Sequence, residues 1–231
     1  MMTRPTPTFE QMLAQLNLLA NPAGIAAQQR FGIRPARPLG ISMPQVRALA
    51  KGVRDHPLAL QLWQTGIHEA RILASLVDDP KLVTLDQMET WVQDFDAWDV
   101  CDQVCSNLFD RTVFAVDRAH AWPERQPEYV RRAGFVLMAG LASHRKKEPD
   151  ETFLQFLPLI VHYSTDSRNF VRKAVNWALR GIGKRNPALR AAAIQTANQI
   201  LMIDSPTTHW LARDALRELS RPERSTRSPG R

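Results

Sequence analysis

RNFVRKAVNWALRGIGK, residues 168–184, decides the fold. Phe170, Val171, Ala174, Val175, Ala178, Leu179 and Ile182 recur at spacings of three and four, the pattern of one apolar helix face. Lys173, Trp177, Arg180 and Lys184 step by four, three and four and share another side. A tryptophan set among cations suits a polyanion that carries flat bases or sugars. The alternative is a tryptophan packed on a neighbouring helix while the cations stay solvated.

Working outward, the same punctuation recurs in both directions. Thr165 or Asp166 can cap this helix. Pro187 starts another to about Met202, and Ser205-Pro206 starts the last, to Leu219. Upstream, Asp150 caps Glu151 to Tyr163, Arg145-Lys146-Lys147 is a basic loop, and Pro127 opens a helix to His144. Arg111 to Ala119 is a further helix, followed by a break at His120 to Pro123. Asp96 can cap a helix from Ala97 to Phe109, and Thr84 caps Leu85 to Gln93. Ile67 to Val77, a helix opened by Pro57, and Met43 to Arg54 behind Ser42 precede these. The stretch FGIRPARPLGISMP, residues 31–44, holds three prolines and two glycines and reads as a loop with arginines free to touch a partner. Phe9 to Leu19, capped by Thr8, and a short helix over Ala20 to Arg30 complete the series. No stretch alternates as a strand, and no Asn-Gly or Asp-Gly turn occurs. The expected fold is all-α: a HEAT-like helical-repeat solenoid of antiparallel helix pairs with a concave basic face. Its units would be about 40–47 residues long. Residues 9–219 form the single domain, with disordered tails at 1–8 and 220–231. An irregular helical bundle is the other architecture this pattern allows.

The net charge of +7 over 231 residues favours an acidic partner, of which nucleic acid is the commonest. No run of 18 apolar residues is present for a membrane span, and the first residues, MMTRPTPTF, lack the apolar core of a signal peptide. The two cysteines, Cys101 and Cys105, are four apart with no second pair or histidine cluster beside them. A disulfide framework, a metal site and a bound cofactor are therefore not expected, and a reducing cytoplasm fits.

Two further stretches carry candidate chemistry. Between Lys81 and Arg111 there is no Lys or Arg, while Asp86, Glu89, Asp94, Asp96, Asp99 and Asp102 all occur. Trp98 and Asp102, four apart, share a helix face. Asp99 can serve as a helix-start charge. Asp102 sits too deep in its helix to be a cap, which leaves a functional carboxylate or a structural salt bridge to a neighbouring arginine. In YVRRAGFVLMAGLASHRKK, residues 129–147, Arg131 and Arg132 interrupt an apolar helix, so one of them must point away from the core.

Trp98 with Asp102 in AWDVCD, Arg132 in YVRRAGFVLMAG, and Trp177 in VRKAVNWALRGIGKRNP together resemble the AlkD-type bacterial alkylpurine DNA glycosylases of the DNA alkylation repair family. The resemblance runs over about residues 35–219 and is strongest over 84–110 and 125–190. It departs at Ala97, where some members carry the first of two adjacent tryptophans. It implies hydrolysis of the N-glycosidic bond of purines alkylated at N3 or N7 in duplex DNA, without base flipping and without a cofactor. Such a base is already cationic and leaves without a general acid. By the same resemblance Asp102 would face the developing charge at C1′ and position water, Trp98 and Trp177 would flank the deoxyribose, and Arg132 would hold the adjacent phosphate. Arg131 is the competing phosphate contact. Arg172, Lys173, Arg180, Lys184 and Arg185, with Arg145, Lys146 and Lys147, would form a phosphate-contacting wall, to which Arg168 and Arg190 add least. Over Arg168 to Arg190 these cations face one acid, Asp166. The resemblance also implies a monomer acting on double-stranded DNA in the cytoplasm, at the nucleoid. Two other functions fit the same chain: a non-catalytic binder of damaged or branched DNA, and a scaffold for a protein partner.

Overall fold

A computed structural model describes residues 6–221. Residues 1–5 and 222–231, which hold most of the expected disordered tails, lie outside the described residues. The described chain is helical throughout, with no strand. In order, the helices are α1 (Phe9–Leu18), α2 (Pro22–Arg30), α3 (Met43–Ala50), α4 (His56–Gln64), α5 (His68–Val77), α6 (Leu85–Gln93) and α7 (Trp98–Asn107). They are followed by α8 (Ala115–Ala121), α9 (Glu128–His144), α10 (Asp150–Leu154), α11 (Leu157–His162), α12 (Asn169–Gly183), α13 (Pro187–Leu201) and α14 (Pro206–Leu219). Short 3-10 turns cover Phe109–Arg111, Trp122–Glu124 and Tyr163–Thr165. No described helix is long and apolar enough to cross a membrane.

The start signals act as their chemistry requires. Thr8 forms a reciprocal capping box with Gln11, Thr84 accepts from Gln87 N, Asn186 from Leu189 N and Ser205 from Thr207 N. Three expected caps fail because the acid has a stronger partner elsewhere. Asp96 accepts from Ala36 N, 60 residues away, so Ala97 takes the cap position of α7. Asp150 accepts from the Asn186 amide, and Pro149 precedes its helix. Asp166 binds Arg131 and Arg168, and Arg168 takes the cap position of α12. The expected helix from Glu151 to Tyr163 is two, broken at Gln155–Phe156, and the chain through His120 stays helical to Ala121.

Register across helix pairs reveals the architecture. Cys101 Sγ reaches the Tyr129 carbonyl and Cys105 Sγ that of Ala133, so α7 and α9 run parallel. Gly181 of α12 packs on Ala139 of α9, downstream of the Arg132–Phe170 contact, so α9 and α12 are parallel too. Arg172–Trp210, Asn176–Asp214 and Arg180–Glu218 align α12 with α14. Parallel neighbours need a returning segment between them, and the intervening helices supply it. The row α5, α7, α9, α12, α14 thus has one helix per repeat. The contacts His68–Asp99, Asp102–Arg132, Arg132–Phe170 and Asn176–Asp214 step by 31, 30, 38 and 38 residues. These steps are shorter than the expected unit of 40–47 residues; between α5 and α12 the returning helices have nine residues or fewer, while α13 has 15. In α12, Val171, Ala174, Val175, Ala178, Leu179 and Ile182 are fully buried as the spacing predicts, while Phe170 stays half-exposed at its start.

Candidate DNA-facing site

Asp102 and Arg132 are in direct contact. Arg132 Nε donates to Asp102 Oδ1 at 2.9 Å and Nη2 donates to Oδ2 at 2.8 Å, a bidentate fork. Nη1 donates to the Phe170 carbonyl at the start of α12. One guanidinium therefore ties together α7, α9 and α12. The side chains are 6% and 15% exposed for Arg132 and Asp102, so the pair lies at the bottom of a surface rather than on it. Burial pushes the Asp102 carboxyl up from the ordinary carboxylate range, against the opposing pull of Arg132. For Arg132, burial works against the charge, but Asp102 outweighs it and raises the guanidinium pKa.

This geometry does not consume either group. A guanidinium carries five N–H donors, and three are directed at Asp102 and Phe170, so two remain for a phosphate. An ionised carboxylate offers about four lone-pair directions, and Arg132 takes two. Asp102 can hold a water without releasing Arg132.

Trp98 opens α7, one turn before Asp102. Its indole Nε1 donates to the Phe31 carbonyl at 3.0 Å. Trp177 lies on α12, two turns beyond the Phe170 carbonyl that Arg132 reaches, and is half-buried. In the register of the parallel row Trp98 lies one turn before Asp102 and Trp177 two turns after Phe170, a separation along the helix axes of roughly three turns or 16 Å.

Arg131, one residue earlier on α9, points elsewhere. Its Nε donates to the Pro123 carbonyl at 2.7 Å, Nη1 to Asp166 at 2.9 Å, and its guanidinium lies 4.6 Å from the Tyr163 ring centre. These contacts turn Arg131 toward Pro123, Tyr163 and Asp166 and away from Asp102, so of the two arginines only Arg132 is joined to the Asp102 carboxylate. Arg185 is similarly occupied. It donates to the carbonyls of Ala142, Arg145 and Glu148 and stacks 3.9 Å from the Phe153 ring centre, holding the 145–148 loop.

The expected basic wall carries its own acids. Arg180 binds Glu218 at 2.5 Å and lies 3.8 Å from Asp214, and Lys184 binds Glu218. Arg145 donates to the carbonyls of Asp110 and Thr112. Arg168 is held by Asp166 and Arg190 by the Leu219 carbonyl. The local count of one acid missed Asp214 and Glu218 because they arrive from the next repeat, 38 residues on. Arg172 lies 4.9 Å from the ring centre of Trp210, a 38% exposed tryptophan that the sequence reading passed over. Lys146, Lys147 and Lys173 are exposed and have no acidic partner among the described residues.

Other parts of the site escaped the sequence reading. The rings of Tyr129 and Phe170 are neighbours, tilted by 33° with centres 5.9 Å apart, and the Phe170 carbonyl is the one Arg132 uses. Burial raises the Tyr129 phenol to about 12, so it stays protonated at neutral pH. Asp99 lies in the first turn of α7, as expected of a helix-start charge, and has a second partner that the sequence did not show. His68 Nε2 donates to Asp99 Oδ2 at 2.9 Å across the α5–α7 interface. Burial alone would lower the His68 pKa, but the Asp99 bond and charge outweigh it and raise it. Spacing within one helix could not reveal these partners, because each comes from a different repeat.

A family model described as DNA alkylation repair enzyme matches residues 12–221. Among solved structures, one described as "a new family of proteins related to the HEAT-like repeat DNA glycosylases with affinity for branched DNA structures" aligns with a TM-score of 0.75 at 17% identity. The alignment covers 92% of this chain and 95% of that one, and the shared fold is HEAT-like. No curated protein matches the chain.

Proposed function

The chain belongs to the DNA alkylation repair enzyme family, and from that premise we propose that it is a DNA N-glycosylase acting on cationic N3- or N7-alkylated purines in duplex DNA. The observation that carries this reading is the buried bidentate Asp102–Arg132 fork, which leaves two guanidinium N–H groups over, with Trp98 one turn before Asp102 on α7. Arg132 takes the phosphate beside the lesion through its two remaining N–H groups. Asp102 faces C1′ as the glycosidic bond lengthens and positive charge develops on the sugar. The bond electrons leave with the base, which departs neutral. Water adds at C1′ and its proton passes to Asp102 or to solvent. A carboxylate about 4 Å from the developing cation contributes roughly 4 kcal/mol at an effective dielectric near 20, about a thousandfold in rate. The exposed Lys173, Lys146 and Lys147 would meet phosphates along the duplex, a smaller electrostatic surface than the full wall of cations.

The test is release of free base from duplex DNA carrying N7-methylguanine, by the wild-type protein and by Asp102→Asn side by side. Asn keeps one oxygen for Arg132, so thermal unfolding of both proteins is recorded in parallel. Release by the wild type that collapses in a folded variant supports the reading, and near-normal release by the variant removes Asp102 from the chemistry.

A second reading has its own observation. Arg132 already neutralises Asp102, as a purely structural salt bridge would. On that reading the protein binds branched or nicked DNA through the same surface and releases no base. Wild-type protein that binds but releases nothing would decide for it.

A further inference from the structure

Phe31 is 73% exposed although its backbone is built into the candidate site. It ends α2, and its carbonyl receives the indole N–H of Trp98 at 3.0 Å. The next residue, Gly32, has φ +77°, and a Cβ there would lie 3.2 Å from the Phe170 ring. The loop that follows is pinned along its length. Glu69, 1% exposed, accepts from Leu39 N, Gly40 N, Ile41 N and the Gln28 amide at 2.8–3.2 Å. Asp96 accepts from Ala36 N at 2.9 Å, and His68 N donates to the Arg37 carbonyl at 3.0 Å. Gly24 allows α2 to close on this loop, since a Cβ there would lie 2.0 Å from the Gly40 carbonyl oxygen. Arg37, expected to be free, donates to the Thr65 carbonyl. Arg30 and Arg34, on either side of Phe31, are exposed and have no acidic partner among the described residues.

A single exposed apolar side chain is ordinary. A rigidly mounted one, anchored through Trp98 and set between two unpaired arginines, has the composition of a wedge that enters a base stack while cations hold the flanking phosphates. We propose that Phe31 is such a wedge, inserting at an interrupted or weakened base step beside the Asp102–Arg132 pair. The inference rests on the DNA-binding reading above and deepens it, but it does not require base release. Nicked, branched and lesion-bearing duplexes share the needed chemistry, a step whose stacking is already weakened.

The probe is a nicked duplex with 2-aminopurine beside the nick, compared with the same duplex sealed. Wild-type protein should bind the nicked form more tightly and raise the 2-aminopurine fluorescence as the base unstacks. Phe31→Ala should bind nicked DNA about tenfold more weakly, from the loss of one stacking contact. It should also give no fluorescence rise and leave binding to the sealed duplex unchanged. Phe31→Trp should restore both signals. Equal loss on both duplexes, or fluorescence unchanged from wild type in Phe31→Ala, overturns the wedge while leaving DNA binding intact. Wild-type protein that binds neither duplex at modest salt overturns both readings at once.

Discussion

Arg131 and Arg132 are consecutive on α9, both buried and both paired with an aspartate, yet they occupy two different kinds of site. Arg131 sits among the Pro123 carbonyl, the Tyr163 ring and Asp166, and Asp166 is shared with Arg168. Arg132 sits between α7 and α12 with Asp102 as its one acidic partner among the described residues, and each of those helices carries a tryptophan, Trp98 and Trp177. The first arrangement has more cation than anion and binds one repeat to the next. The second is balanced and lies beside half-exposed rings. A buried ion pair is weak evidence for stability, since desolvation offsets much of the attraction. What separates the two is the surroundings, not the pair itself.

The largest expected effect is on the Arg132 side. Asp102→Asn should lower base release about a thousandfold, the loss expected for one carboxylate facing a cationic transition state. If the two pockets were of one kind, this variant would lower stability and leave release per folded molecule untouched. Arg132→Lys sharpens the contrast, because a lysine is a point charge and cannot hold Asp102 and a phosphate in one fork. About a hundredfold loss of release is expected, partly recovered at low salt where long-range attraction helps most.

Arg131→Met should do the converse. Removing a buried partner leaves a carboxylate uncompensated, but Arg168 remains on Asp166, so the cost should be about 2–3 kcal/mol rather than the larger loss of an isolated pair. For a chain of this length that lowers the melting temperature by about 5–10 °C, with release per folded molecule unchanged. A loss of activity larger than the loss of folded protein would place Arg131 in the DNA site after all.

The same pocket carries a pH signature. Burial raises the Asp166 pKa, but hydrogen bonds from Arg168 and Arg131 outweigh it and hold the carboxyl at about 2, below its usual 3.8. A lowered folded-state pKa stabilises the fold above the unfolded value, and that contribution is lost as pH falls through the folded one. Asp166→Asn should therefore cost about 2 kcal/mol at neutral pH and about half that near pH 3. Denaturant midpoints at the two pH values measure it, and a cost that does not shrink in acid would remove the ionised pair as its cause.

Much of this molecule is legible along the chain because helix faces are local. The stripe of α12 and the caps at Thr8, Thr84 and Ser205 rest on residues within four positions of one another. The partners are not local. Asp102 meets Arg132 30 residues on, Arg180 meets Glu218 38 on, and Ala36 meets Asp96 60 on. A one-dimensional pattern shows that an acid or an arginine needs a partner, but not which repeat supplies it. For that reason α12 reads as a basic helix in isolation and is largely neutralised by α14 in place. Phe31 was invisible for the same reason, since only the Trp98 contact distinguishes it from any loop phenylalanine.

The smallest effect tests that neutralisation. Lys173 on α12 and Lys184 at its C-terminal cap are both exposed, but Lys184 is bound to Glu218 while Lys173 has no acidic partner among the described residues. A free cation that meets a phosphate releases a counterion and contributes about one unit to the slope of log affinity against log salt. Lys173→Ala should therefore lower that slope by about one and weaken binding to all duplexes alike. Lys184→Ala removes a cation already compensated by a carboxylate that remains, so the slope should change little and binding should fall through repulsion from Glu218. Equal slopes in the two variants would mean that DNA draws Lys184 off Glu218, and that the paired wall of α12 opens to phosphate on binding.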